Sequence, residues 1–86
     1  MKYDKKRFDL FSAAYREGLA KAMKDHPDEY MVGLTSDEIA DRLLKKVSTH
    51  GIGAVSVPQS KGFKNACKTL GIKQTYKEIG AYLEGK

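Results

Sequence analysis

Five lysines, Lys61, Lys64, Lys68, Lys73 and Lys77, fall in a stretch of the chain that contains no acidic residue. Ammonium groups gathered in this way attract a polyanion, and nucleic acid is the commonest one. The net charge is +5, and it is unevenly held: residues 1–50 carry ten Lys/Arg against nine Asp/Glu, and residues 51–86 carry six lysines against two glutamates. The cationic surplus therefore belongs to the second half. Asn65, Gln74 and Thr75 stand among these lysines, with side chains that can hydrogen-bond a base edge or a phosphate.

Other residues with chemical potential assemble into nothing comparable. Cys67 is the single cysteine. It can form neither an internal disulfide nor a cysteine-based zinc site, and it sits amid apolar neighbours, where packing is its natural role. His26 and His50 are the only histidines and have no second ligand at helical spacing. Asp37, Glu38 and Asp41 crowd the start of one segment, where helix capping and solvent exposure explain them better than acid–base work. Gly51-Ile52-Gly53 lacks the spacing and the Gly-Lys-Ser/Thr ending of a phosphate loop. No nucleophile–base pair, metal set or cofactor motif emerges, so the expected function is not enzymatic and calls for no cofactor.

The elements that must position the lysines are helices. From about Asp4 to Asp25, Phe8, Phe11, Tyr15, Leu19 and Ala22-Met23 recur at steps of three and four, the helical period. Pro27 ends the pattern. Residues 28–34 are a connector in which Tyr30-Met31-Val32 is open to a short extended piece. Thr35 and Glu38 form a capping box for a second helix, with Leu34 and Ile39 placed as a hydrophobic staple. Its expected buried stripe is Ile39, Leu43, Leu44 and Val47, with Ala40 beside it, and its expected end lies near Val47 to Thr49. Residues 48–60 form the longest irregular stretch, where Ala54, Val55 and Val57 can add a short strand or plug the core.

A third helix is expected over roughly Pro58–Leu70, with Pro58 in its first turn. Phe63, Ala66, Cys67 and Leu70 share one face of it; Lys61, Lys64 and Lys68 share another. Gly71 closes it. The fourth helix opens with a second capping box, Thr75 and Glu78. Tyr76, Ile79 and Leu83 face inward with Tyr82 on the flank, and Gly85 ends it. Gly80 lies inside that helix at a cost of about 1 kcal/mol relative to alanine. The expected fold is an all-α, compact single domain of four helices over residues 1–86, with at most one or two very short strands.

Residues 63–84 thus read as helix, short turn, capped helix, the outline of a helix-turn-helix. Within it, the small pair Ala66-Cys67, then Leu70-Gly71-Ile72, the polar pair Lys73-Gln74 and the helix-opening Thr75 follow the order that Fis-type DNA-binding proteins show, and the stretch resembles theirs. Thr75 comes one residue early for that pattern, and Gly80 falls within the second helix. The small side chains of Ala66 and Cys67 are expected to let the third and fourth helices cross closely. The resemblance places the fourth helix in the major groove with Gln74, Thr75, Lys77 and Glu78 nearest the bases, and makes Lys61, Lys64, Lys68 and Lys73 phosphate contacts. Asn65 joins them on the same face. A second placement is open: Leu34-Thr35-Ser36-Asp37-Glu38-Ile39-Ala40 is similar to the second-helix opening of many winged-helix domains, which would make the third helix the reader. Both placements use Lys61, Lys64 and Lys68.

Composition sets the class. An apolar fraction of 41% and a charged fraction of 31% are those of a folded globular domain. A chain this short buries about 60–65% of its unfolded surface, so its core is modest. No run approaches the length of a membrane helix, and the basic start Met1–Arg7 is not followed by the apolar segment of a secretory signal. A cytoplasmic setting, double-stranded DNA as partner and a small regulatory role are the expectations. RNA is less favoured, because sheet-based RNA binding needs aromatics on strands. A homodimer is a further expectation if aromatics of the first helix stay exposed. The alternative is a protein-interaction module, an adaptor or inhibitor whose basic face or aromatic first helix meets an acidic protein.

Overall fold

Asp4 starts the first helix. Its carboxylate accepts from the Arg7 amide at 2.9 Å, which satisfies one of the four backbone donors left open at a helix start. Helix α1 then runs Lys5–Asp25. It stops where Pro27 pushes His26 out of the α region, to φ −137 and ψ 62, and Pro27–Glu29 makes a short 3-10 turn. The computed structural model describes residues 3–30 and 33–86. Tyr30 is extended, while Met31 and Val32, the rest of the extended piece expected there, lie outside the described residues.

Thr35 and Glu38 form the full capping box: the Thr35 hydroxyl accepts from the Glu38 amide, and the Glu38 carboxylate accepts from the Thr35 amide, both at 3.2 Å. Helix α2 covers Ser36–His50, slightly longer than expected. Gly51 caps it at φ 91, a conformation that favours glycine, with its N–H on Val47 O at 2.8 Å. Its buried face is Ala40, Leu44 and Val47. Ile39 and Leu43, expected in the buried stripe, are half-exposed instead, because the stripe that meets the core runs through Ala40 rather than Ile39.

Residues 51–60 contain no strand. Ile52–Ala54 is a 3-10 turn, and Val57 is wholly buried, so this stretch plugs the core. Helix α3 covers Lys61–Leu70 with Ser60, not Pro58, at its head: the Ser60 hydroxyl accepts from the Phe63 amide at 3.5 Å. Pro58 stays in the preceding turn, because the chain must first lead Val57 inward. The end of α3 is a two-bond glycine cap. Gly71 adopts φ 70; its N–H meets Lys68 O at 3.4 Å, and the Ile72 N–H meets Cys67 O at 3.0 Å. Helix α4 covers Tyr76–Leu83. Only half of its expected capping box forms. Thr75 accepts from the Glu78 amide at 3.1 Å, but the Thr75 N–H turns to Lys73 O at 2.9 Å.

The four helices give an all-α domain with no strand among the described residues. A radius of gyration of 12.1 Å is that of one close-packed domain of this length. At the centre, Phe11 and Tyr15 of α1 meet Phe63 of α3, with ring centroids 5.9 and 4.8 Å away. Each such buried side chain contributes about 1.5–3 kcal/mol.

The tightest helix crossing is α1 on α3, not α3 on α4. A Cβ on Gly18 would lie 2.9 Å from both Asn65 Cβ and Gly62 O and 3.0 Å from Ala66 N; one on Gly62 would lie 3.0 Å from the Tyr15 ring. Ala66 therefore serves a different crossing from the one expected, since two glycines let α1 approach α3 at its backbone. Helix α4 rests on α1 and on the Ile52–Ala54 turn. Tyr76, expected inside, is 40% exposed, because its hydroxyl donates to Val55 O at 2.6 Å at the surface. The first and last segments adjoin: the Asp4 N–H meets Leu83 O at 2.8 Å, and the Arg7 guanidinium lies 4.7 Å from the centre of the Tyr82 ring.

Candidate nucleic-acid interface

Lys64 and Lys68 are exposed on the outer face of α3; Lys73 is exposed in the turn after it, and Lys77 in the first turn of α4. None of the four has an acidic partner among the described residues. Lys61 does. Its ammonium pairs with Glu29 at 2.7 Å, a residue far away in sequence that the 3-10 turn brings alongside. Such a half-exposed pair contributes little to stability, about 0–1 kcal/mol, but it offsets the charge Lys61 would otherwise offer.

The three uncharged candidates are held by the fold. Asn65 is half-buried and donates to Gly18 O at 2.9 Å. Gln74 is half-buried and donates to Val57 O at 2.6 Å and Ser60 O at 2.9 Å. Thr75 uses its hydroxyl oxygen as the α4 cap. Asn65 and Gln74 thus fasten α3 to α1 and to the preceding loop.

Beside the glycine crossing, a shallow depression collects Lys21 and Glu17 of α1 with Asn65, Lys68 and Thr69 of α3. A smaller one collects Asp25 and His26 with Lys61, Lys64 and Asn65. Lys21 is the residue that sequence reasoning passed over. It reads there as one polar-face residue among several, and only the crossing makes it a neighbour of Lys68. The interior glycines Gly18 and Gly62 were the available signal.

Of the remaining acids, Asp37, Asp41 and Asp9 are paired elsewhere, while Glu17 and Asp25 share the depressions with Lys68 and Lys64 without forming an ion pair among the described residues. The Arg16 guanidinium spans from α1 to α2, binding Asp37 at 3.2 Å and also Asp41. That fork explains the acidic cluster beyond its capping role. Lys5 pairs with Asp9 at 3.6 Å. Among the described residues, no three His, Cys, Asp or Glu side chains gather as metal ligands would. Burial pushes the Cys67 thiol up to about 11, so it stays protonated and unreactive at neutral pH.

Of the aromatics on α1, Phe11 and Tyr15 are core, at 0% and 2% exposure. Tyr3 and Phe8 stack on each other and are half-buried. Among the described residues no aromatic of α1 is fully exposed; Phe8 stays partly exposed, and Leu10 of the same helix is 48% exposed. An apolar groove does run between α2 and the 52–56 loop, lined by Tyr30, Leu34, Ile39, Leu43, Ala54 and Val55 with Arg42 and Lys46 at its rim. Among the described residues, no helix is long and apolar enough to cross a membrane. Comparison with protein families, with curated proteins and with solved structures gives no match to this chain.

Proposed function

We propose that this domain binds duplex DNA in the cytoplasm, without catalysis, by docking the lysine face of α3 and the following turn on the phosphate backbone. The observation that supports it most is the set Lys64, Lys68, Lys73 and Lys77: all exposed, all without an acidic partner among the described residues, while Arg16 and Lys61 occupy Asp37, Asp41 and Glu29. Ordinary exposed helices mix their signs, as α1 and α2 do here. The α3–turn–α4 order follows the helix-turn-helix outline, but α4 packs on α1 and the Ile52–Ala54 turn rather than on α3; Lys77 and Glu78 lie in the first turn of α4.

The experiment is fluorescence anisotropy with labelled duplex DNA across a salt series, for the wild type and for a Lys64→Glu/Lys68→Glu variant. The expected result is micromolar binding with a log–log salt slope of roughly −3 to −5, as about four to five neutralised phosphates give, and loss of binding in the variant. Binding that ignores both substitutions overturns the reading. The second reading, a protein-interaction module, draws on the apolar groove with Arg42 and Lys46 on its rim; capture of an acidic amphipathic peptide there, with no DNA binding, would favour it.

A further inference from the structure

Three of the side chains that would read bases from the α3–α4 region are occupied, while Lys77 and Glu78 in the first turn of α4 stay exposed. Asn65 donates to Gly18 O, Gln74 donates to Val57 O and Ser60 O, and Thr75 caps α4. A bidentate contact to adenine needs the whole side-chain amide of Asn or Gln, and both amides here are half-buried and already bonded. What remains exposed is the lysine set with Glu78; a lysine is a point charge on a flexible stem that meets phosphate as readily as a base edge, and a lone carboxylate is repelled by the backbone it would have to pass. The α1–α3 crossing adds one more lysine charge, bringing Lys21 into the depression that holds Lys68.

Resting on the duplex-DNA reading above, we infer that binding is indifferent to base sequence and uses a ridge of two helices, with Lys21 of α1 contacting phosphate beside Lys64 and Lys68 of α3. Two rigidly packed helices then present the charges together. The backbone approach of α1 to α3 at Gly18 and Gly62 sets their spacing, so Lys21 acts as part of the same surface although it lies in the half of the chain whose cationic surplus is only +1. Glu17, in the same depression, tempers the field without closing it.

Two measurements on the full chain test this. The first is repeated selection from a pool of random duplexes, followed by anisotropy on AT-rich, GC-rich and mixed duplexes of equal length. The expected outcome is no enriched motif and closely similar affinities. An enriched motif, bound about a thousandfold or more tighter than the pool, overturns sequence indifference while leaving DNA binding intact. The second is the Lys21→Glu variant, with Lys45→Glu on α2 as a control of equal charge. Lys21→Glu should weaken every duplex by the same factor and make the salt slope shallower by about 1, with an unchanged melting temperature; Lys45→Glu should leave the slope at the wild-type value. Equal behaviour of the two variants removes Lys21 from the surface. Absence of binding to any duplex at low salt overturns the DNA reading and this inference together.

Discussion

The side-chain amide of Asn65 donates to the carbonyl oxygen of Gly18 at 2.9 Å, joining α3 to α1 across their crossing. A residue that stands among lysines in the sequence thus works inward. Asn65→Ala should lower stability by about 1 kcal/mol, the usual net value of one such bond, and leave DNA affinity unchanged. Gln74→Ala should behave alike, with a somewhat larger loss because two carbonyls lose their donor. Urea denaturation alongside anisotropy separates the two effects. A loss of affinity at full stability would return these amides to the DNA surface.

Three glycines inside helices should respond oppositely to alanine. Gly18→Ala and Gly62→Ala place a methyl 2.9–3.0 Å from neighbouring atoms, and overpacking of this kind costs about 1–3 kcal/mol. That outweighs the gain of up to about 1 kcal/mol in helix propensity. At Gly80 the nearest atom to an added Cβ is Ile52 Cγ2 at 3.7 Å, ordinary contact. Gly80→Ala should therefore stabilise by about 0.5–1 kcal/mol. Thermal melts of the three variants decide the matter, and stabilisation by Gly18→Ala would mean that α1 and α3 are farther apart than described.

If the domain binds DNA as proposed, Glu29 competes with phosphate for Lys61. Glu29→Gln breaks the 2.7 Å pair and leaves the Lys61 ammonium available. Affinity should rise a few-fold, and the salt slope should steepen by about 1 if Lys61 then meets a phosphate. Titration at two or more salt concentrations measures both. An unchanged slope would place Lys61 off the docking surface.

Alkali should weaken the fold in two overlapping steps. Burial pushes the Tyr15 phenol up to about 12 from 10.0, with Tyr30 raising it further and Ser60 opposing, and burial pushes the Cys67 thiol up to about 11 from 9.0. Both groups are neutral when protonated, and the folded state favours the neutral form. Their contribution is whole below the unfolded values and disappears as pH rises through the folded ones, that is from about pH 9 to 12. Tyr15→Phe should make the decline between pH 10 and 12 shallower in urea melts. Parallel declines for the two proteins would show that Tyr15 ionises without cost.

Local signals in the sequence mark most helix boundaries. Thr35-Glu38, Pro27, Gly71 and Gly85 each act through a few neighbouring atoms, so their effect is written nearby. Leu70-Gly71-Ile72, the triplet central to the expected helix-turn-helix, is what a glycine C-cap requires: a last helical residue, a left-handed position and an amide that bonds back to Cys67. Its presence fixes how α3 ends, whereas the angle to α4 depends on what α4 packs against. What the sequence does not place depends on distant partners: Tyr76 lies at the surface, Ile39 and Leu43 only edge the core, and Ala66, buried as expected, meets α1. Tyr76 is amphipathic and found a carbonyl at the surface. Gln74 and Asn65 have the chemistry of ligand contacts, and only the positions of Val57 and Gly18 reveal that they are fasteners. Glu29 beside Lys61 is likewise invisible along the chain.

The α1–α3 crossing also orders the gain of structure. Gly18 and Asn65 are 47 residues apart, and closing a loop of that size has an entropic cost that must be met before the contact rewards it. Until α3 arrives, Phe11 and Tyr15 lack Phe63, and the first two helices hold only the part of the core they share, with the exposed Arg16 fork at its edge. A chain halted after α2 during synthesis would show its aromatic stripe to solvent. The helix that brings the lysines is also the one that shields the first helix, so during translation the domain gains its charge and loses its stickiness in a single event.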